Sequence, residues 1–117
     1  MGLITNANMI LQKDDFHYEE IDVPEWGGTL RLKSLSGTER TAIIKLLNQK
    51  KDTADGVYEK AIIFSAVNED GGRIFNDDPS TLAILQSKDA AVTQRIGAAV
   101  MKLSGLSAES KDEAEKN

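Results

Sequence analysis

The chain has 117 residues, 40% of them apolar and none of them cysteine, and a formal net charge of −5 from 14 basic and 19 acidic side chains. That size suits one domain with one modest core, no apolar run approaches the roughly 18 residues of a membrane span, and the acidic balance disfavours generic binding to nucleic-acid phosphates, which draws on clustered Lys and Arg. Without cysteine there is no disulfide framework and no thiolate metal site, as expected for a protein kept in a reducing cytoplasm.

Met1-Gly-Leu-Ile-Thr-Asn6 lacks the charged and apolar regions of a signal peptide, and Asn6 stands where a myristoylation pattern requires Ser or Thr. Leu3, Ile4, Met9, Ile10 and Leu11 suggest a short helix or ordered arm ending at the polar Gln12-Lys-Asp-Asp15. Ile21 and Val23, then Leu30 and Leu32, recur at every second residue, the pattern of a segment with one buried and one wet face. They predict an antiparallel β-hairpin over about residues 17–34, with its turn between Pro24, which cannot sit inside a ladder, and Gly28. Ser36-Gly-Thr-Glu39 has capping-box spacing and opens a helix from Thr38 to about Lys50, whose apolar face is Ile43, Ile44, Leu46 and Leu47.

Turn formers from Lys50 to Gly56 interrupt the pattern. Val57, Tyr58, Ala61, Ile62, Phe64 and Ala66 then predict a second, central helix from about Asp55 to Val67, stopped by Asn68-Glu-Asp-Gly-Gly72. Arg73-Ile-Phe75 is too short for more than a bridge or small strand. Asp77 or Asp78 before Pro79 predicts an N-cap and a helix to about Gln86, and Ser87-Lys-Asp89 caps the longest helix, Ala90 to about Lys102, stopped by Gly105. The expected architecture is mainly α with a small N-terminal hairpin, an α+β domain of about four helices over residues 1–106, followed by a flexible acidic tail over 107–117. A two-stranded hairpin is unstable alone in water, so it must lie on the helices or be completed by a strand from another chain.

Catalytic chemistry is nearly absent from the pattern. His17 is the single imidazole and reads as a surface strand residue. Asn68-Glu-Asp-Gly-Gly72 and Asp77-Asp78 lack the alternating spacing and distal glutamate of a calcium loop, and Gly71-Gly-Arg73 has no Gly-Lys-Ser/Thr behind it to make a phosphate loop. No enzyme activity, cofactor or metal is expected. Trp26 at the hairpin turn has two readings, a lid folded onto the core or a rigid apolar surface offered to a partner. With Ile21, Val23, Leu30 and Leu32 it makes up the candidate partner-binding set, and an uncovered hairpin edge would invite an added strand.

Asp22-Val-Pro-Glu-Trp-Gly-Gly-Thr29 followed by Leu35-Ser-Gly-Thr-Glu-Arg40 resembles the amino-terminal part of tail assembly chaperones from long-tailed bacteriophages of the siphophage type. Ala66-Val-Asn-Glu-Asp-Gly-Gly-Arg-Ile-Phe75, Asp77-Asp78, Leu82, Leu103-Ser-Gly-Leu106 and Glu113-Ala-Glu-Lys-Asn117 continue the likeness in the same order over most of residues 16–117. The resemblance implies a protein of the host cytoplasm that binds the tape measure protein and tail tube subunits, keeps them soluble and is absent from the mature virion. It also implies a frameshift-extended form of the same product as a partner, and self-association is a further expectation. The alternative is a structural tail or head-tail connector subunit that stays in the particle and uses the hairpin edge to close a ring; a third reading is a small regulator or antitoxin-like adaptor.

Overall fold

The structure, a computed structural model, describes residues 2–48 and 56–106. Its hairpin consists of β1 (Tyr18–Val23) and β2 (Gly28–Lys33), antiparallel, with Ile21 opposite Leu30 and Val23 opposite Gly28. Pro24–Trp26 form one turn of 3₁₀ helix. Gly27 closes it at φ 87°, a left-handed conformation that glycine adopts without a Cβ penalty, and its N–H donates to the Pro24 carbonyl at 3.1 Å. On the inner face Val23 and Leu32 are fully buried. On the outer face Thr29 donates to Asp22 at 2.9 Å and Arg31 pairs with Glu20 at 3.5 Å, the cross-strand pairs that the register brings together.

A third strand completes the sheet from within the chain. The helix expected to run to Val67 ends at Ser65 instead, giving α3 (Val57–Ser65), and Ala66–Val67 become β3, antiparallel to Leu32 and Arg31 of β2. The switch has a local cause. The fully buried Ser65 hydroxyl accepts from the Lys33 amide at 3.1 Å and donates to the Lys33 carbonyl at 2.7 Å, so it occupies the ladder position where the next residue of a longer strand would lie. Ala66 then takes an extended conformation, φ −71° and ψ 120°. An apolar run buried on every side does not distinguish helix from strand by periodicity, which is why the residue pattern extends the helix two residues beyond its end in the structure.

Asn68 turns the chain back. Its Oδ1 accepts from the amides of Asp70 at 2.9 Å and Gly72 at 3.1 Å, and Arg73 returns to bridge Val67, so the Arg73–Phe75 stretch supplies the bridge the sequence suggests.

The other helices follow their caps. A single turn, α1 (Asn8–Leu11), lies in the N-terminal arm with none of its residues buried. Helix α2 (Gly37–Leu47) opens on the complete Ser36/Glu39 capping box; its C-cap is Asn48, and the predicted continuation to Lys50, the predicted turn and the predicted helix start at Asp55 lie outside the described residues. Helix α4 (Pro79–Gln86) is capped by Asp78, which accepts from Thr81 at 2.7 Å, and α5 (Ala90–Leu103) by Asp89, which accepts from Ala91 at 2.9 Å. At the far end of α5 the Leu106 amide donates to Met101 at 2.7 Å around Gly105, φ 76°, and Leu106 packs against the core. This is a Schellman stop. The predicted tail, residues 107–117, lies outside the described residues.

The core centres on α3 and β3. Ala61 through Val67 are all buried, and Ala61–Phe64 with Ala66 form one cluster with Val92, Ile96, Val100 and Met101 of α5, Leu85 of α4, Ile43 of α2, and Val23 and Leu32 of the sheet. Helices α3 and α5 cross where Gly97 faces Tyr58. A Cβ on Gly97 would lie 2.5 Å from Tyr58 Cδ1 and 2.6 Å from its Cβ. Gly97→Ala is therefore expected to destabilise the protein. The overpacking cost, about 1–3 kcal/mol, exceeds the gain in helix propensity of at most ~1 kcal/mol. Chemical denaturation tests this: a midpoint raised above that of the wild type would show that the two helices accommodate the methyl group.

Candidate partner-binding surface

The five residues singled out from the sequence divide by burial. Val23 and Leu32 are fully enclosed, while Ile21, Leu30 and Trp26 are half-buried and pack against the core. The hairpin thus turns its apolar face onto its own helices, and Trp26 folds inward.

A charged clamp fixes that turn. Arg95, on α5, reaches Glu25 with both guanidinium branches, Nη1 to Oε2 at 3.0 Å and Nη2 to Oε1 at 3.0 Å, and Nη2 also approaches the Asp22 carbonyl at 3.4 Å. The two-point geometry suits the planar fork of arginine and is the stronger form of such a pair. The hydrogen bond from Arg95 holds the Glu25 carboxyl below its ordinary value. Sequence gives no hint of the pairing, because the partners lie 70 positions apart.

What the hairpin leaves open is its backbone. The Ser34 amide donates to the His17 carbonyl at 2.8 Å. Alternation from that point aims the peptide groups of Glu19, Ile21 and Val23 at β2 and those of Tyr18, Glu20 and Asp22 outward. The Asp22 carbonyl is held by Arg95, and no strand among the described residues pairs with the outer edge of β1. Glu19, Glu20 and Asp22 flank this edge. Against a second β1 in antiparallel register they would set acid opposite acid, so the edge resists pairing with itself while leaving polar backbone for a different strand.

The start of β1 is pinned. Asp14 accepts from the Phe16 amide at 3.0 Å and from the Tyr18 hydroxyl at 2.9 Å, contacts that lower the Asp14 carboxyl and raise the Tyr18 phenol. Lys33 Nζ sits 4.1 Å from the Phe16 ring centre, and the His17 amide donates to Ser34 Oγ at 3.0 Å. The His17 side chain is exposed. Before this root the arm carries Leu3, Ile4, Met9, Ile10 and Leu11, all exposed, with Leu3 at 83% and Leu11 at 76%.

On the other side of the sheet lies a groove of about 580 Å³ where β2 outruns β3. Leu30, Val67 and Ile74 supply its apolar lining, Glu69 and Asp70 its acid, and Glu20 enters it already paired with Arg31, which lines it too. Ile74 is 47% exposed. The sequence reading missed this groove because it depends on β3, which periodicity does not reveal. Asn68 spends its side-chain carbonyl on the turn, in keeping with the turn role inferred from the sequence. Among the described residues no group of three or more His, Asp or Glu side chains is placed to hold a metal.

The fold is similar to that of a solved structure described as the bacteriophage HK97 tail assembly chaperone. The TM-score is 0.60 over 82% of this chain and 88% of the HK97 chain, at 16% sequence identity. The shared feature at that identity is the fold. No protein-family model and no curated protein sequence matches the chain.

The clamp at the turn carries a pH signature. Because the Glu25 carboxyl is lowered in the folded protein, its contribution to stability is present at neutral pH and is lost as the pH falls through that lowered value. Side-chain carboxyl titration by NMR should give a Glu25 midpoint below that of an ordinary glutamate, and Arg95→Gln should bring it back up. Equal midpoints in the two proteins would mean that the pair does not persist in solution.

Proposed function

We propose that this protein is a tail assembly chaperone of a long-tailed bacteriophage, acting in the host cytoplasm on the tape measure protein and tail tube subunits before they polymerise. The observation that carries the reading is the fold shared with the HK97 tail assembly chaperone over most of both chains. The ordered motifs Asp22–Thr29, Leu35–Arg40 and Ala66–Phe75 agree with it; they build the hairpin turn, the first helix cap and the β3 turn.

The chemistry of the surface suits a holdase. Aggregation-prone chains associate through apolar faces and unpaired strand edges, and a binder that occupies those groups before they meet one another shifts the balance toward the dispersed state. The outer edge of β1 offers unpaired backbone beside the half-buried Ile21 and Trp26. Strand addition there gives affinity through main-chain hydrogen bonds without demanding one side-chain sequence. The net charge of −5 keeps the loaded complex repelling its neighbours. In this reading the chaperone is released before the virion is complete, and a frameshift-extended form of the chain joins the same assembly.

Co-expression with the tape measure protein of the same phage provides the test. The expected result is a soluble complex on size exclusion that is absent when the tape measure protein is produced alone, and no trace of the chain in purified particles by mass spectrometry. Retention in particles at a fixed stoichiometry would make it a structural tail or connector subunit, and a tape measure protein that stays insoluble in its presence would overturn the holdase role.

A further inference from the structure

The strand that already pairs with β1 displays the pattern that complements it. Thr29-Leu-Arg-Leu-Lys33 of β2 alternates a hydroxyl or a cation with leucine. The antiparallel register sets Thr29 against Asp22, Arg31 against Glu20 and Lys33 against Tyr18 on the outer face, and Leu30 against Ile21 and Leu32 against Glu19 on the inner one. Both carboxylates of the outer face are used: Asp22 accepts from the Thr29 hydroxyl at 2.9 Å and Glu20 meets Arg31 at 3.5 Å. The same side chains border the other edge of β1, where no strand among the described residues lies.

Acid remains in excess there. Residues 14–25 hold six carboxylates and no Lys or Arg. Arg31 serves Glu20 and Arg95 serves Glu25, while among the described residues no cation pairs with Asp15, Glu19 or Asp22. Lys33 lies over the Phe16 ring. Arg31 reaches Glu20 through one oxygen only, and both side chains are exposed, so the second oxygen can accept from another cation. The peptide groups of Tyr18 and Glu20 and the Asp22 amide point outward, and Arg95 at the Asp22 carbonyl closes one end of the ladder.

The occupant is a different polypeptide. This chain's own segment of the complementary pattern, β2, is the middle strand of its sheet, a second β1 would set acid opposite acid, and residues 107–117 carry four acids against two lysines. We propose that the outer edge of β1 takes, antiparallel, an extended segment of another protein in which Lys or Arg alternates with aliphatic residues. Its cations lie beside Glu20 and Asp22 on the outer face, and its aliphatic side chains lie beside Ile21 on the inner one. Main-chain bonds supply the common affinity, and the acids select among strands by charge. This deepens the strand addition invoked under the proposed function and rests on it.

Synthetic peptides titrated into the full-length protein, followed by backbone NMR, test the proposal. The capped peptide Thr-Leu-Arg-Leu-Lys is expected to shift the amides of Tyr18, Glu20 and Asp22, and Thr-Leu-Glu-Leu-Glu to bind at least about tenfold more weakly. On this edge Glu20 rather than Ile21 aims its peptide group at the added strand, so the hydrogen-bonded residues of the peptide are the cationic ones. Methylating the backbone nitrogen of its Arg should therefore abolish binding, whereas methylating those of its two Leu should leave it. A variant with Glu20→Lys, Asp22→Lys and Arg31→Glu keeps the cross-strand pair with its sign exchanged; once circular dichroism shows that it folds, it should prefer the acidic peptide. Shifts absent from β1, equal binding of the two charge patterns, equal binding of the two methylated peptides, or an unchanged preference in the variant would each overturn the proposal. The tape measure co-expression reports separately. Selective peptide binding without a soluble tape measure protein would uphold the edge and overturn the holdase, and a soluble tape measure protein without selective peptide binding would do the reverse.

Discussion

The structure depends on one buried segment changing secondary structure without leaving the core. Ala61 through Val67 are all enclosed, first as the last turns of α3 and then as β3, and the change falls at Ser65. A hydroxyl at that point is what makes the change affordable. It satisfies both backbone groups of Lys33, which would otherwise face a helix end with nothing to bond, and an unpaired peptide group in a partly buried place costs about 1–3 kcal/mol. Through this joint the hairpin becomes the edge of a three-stranded sheet, and helices α2, α4 and α5 have a common element to pack on.

Four polar ties then set the remaining pieces against that frame. Arg95 holds the hairpin turn to α5 through Glu25. Glu39 serves the cap of α2 with one oxygen and Arg73 with the other, coupling that helix to the bridge residue beyond the β3 turn. Ser104 accepts from the Leu35 amide at 2.9 Å, which brings the end of α5 to the exit of β2. Lys60 pairs with Asp77, and Lys60 and Arg73 both lie over the ring of Phe64, so cations cover its π face. Exposed ion pairs contribute little individually. Their effect here is positional: each joins elements distant in sequence, and the outer edge of β1, the groove and the arm are among the surfaces they leave uncovered in the described residues.

Much of the framework was legible in the sequence because it follows from local rules. The alternation of Ile21, Val23, Leu30 and Leu32, the Pro24 to Gly28 turn, the Ser36 capping box, and the caps at Asp78 and Asp89 each name their own geometry within a few residues. What escaped was non-local or ambiguous in period. Val67 belongs to a strand because Ser65 meets Lys33, 32 positions earlier, a fact that no window of residues contains. The inward turn of Trp26 rests on Arg95, and the groove exists only once β3 does. The candidate binding residues were legible as a hairpin face, yet Val23 and Leu32 are spent entirely on the core, since alternation identifies the buried face of a hairpin without saying whether a helix or a partner covers it. The arm was visible as an apolar segment, but its lack of an internal partner is a property of the folded molecule alone.

The Ser65 joint is the centre of the packed body, and the arm and outer edge are its unsatisfied periphery. Native-state hydrogen exchange, read residue by residue, measures that division most directly. The account predicts that the amides of Lys33, Ile63, Phe64 and Ser65 exchange only on global unfolding, together with those in the middle of α5, while those of residues 3–7 and the outward amide of Glu20 exchange at rates near those of an unstructured peptide. Exchange at Lys33 and Ser65 by local opening, ahead of α2 and α4, would contradict it and would place the organising contact elsewhere in the core.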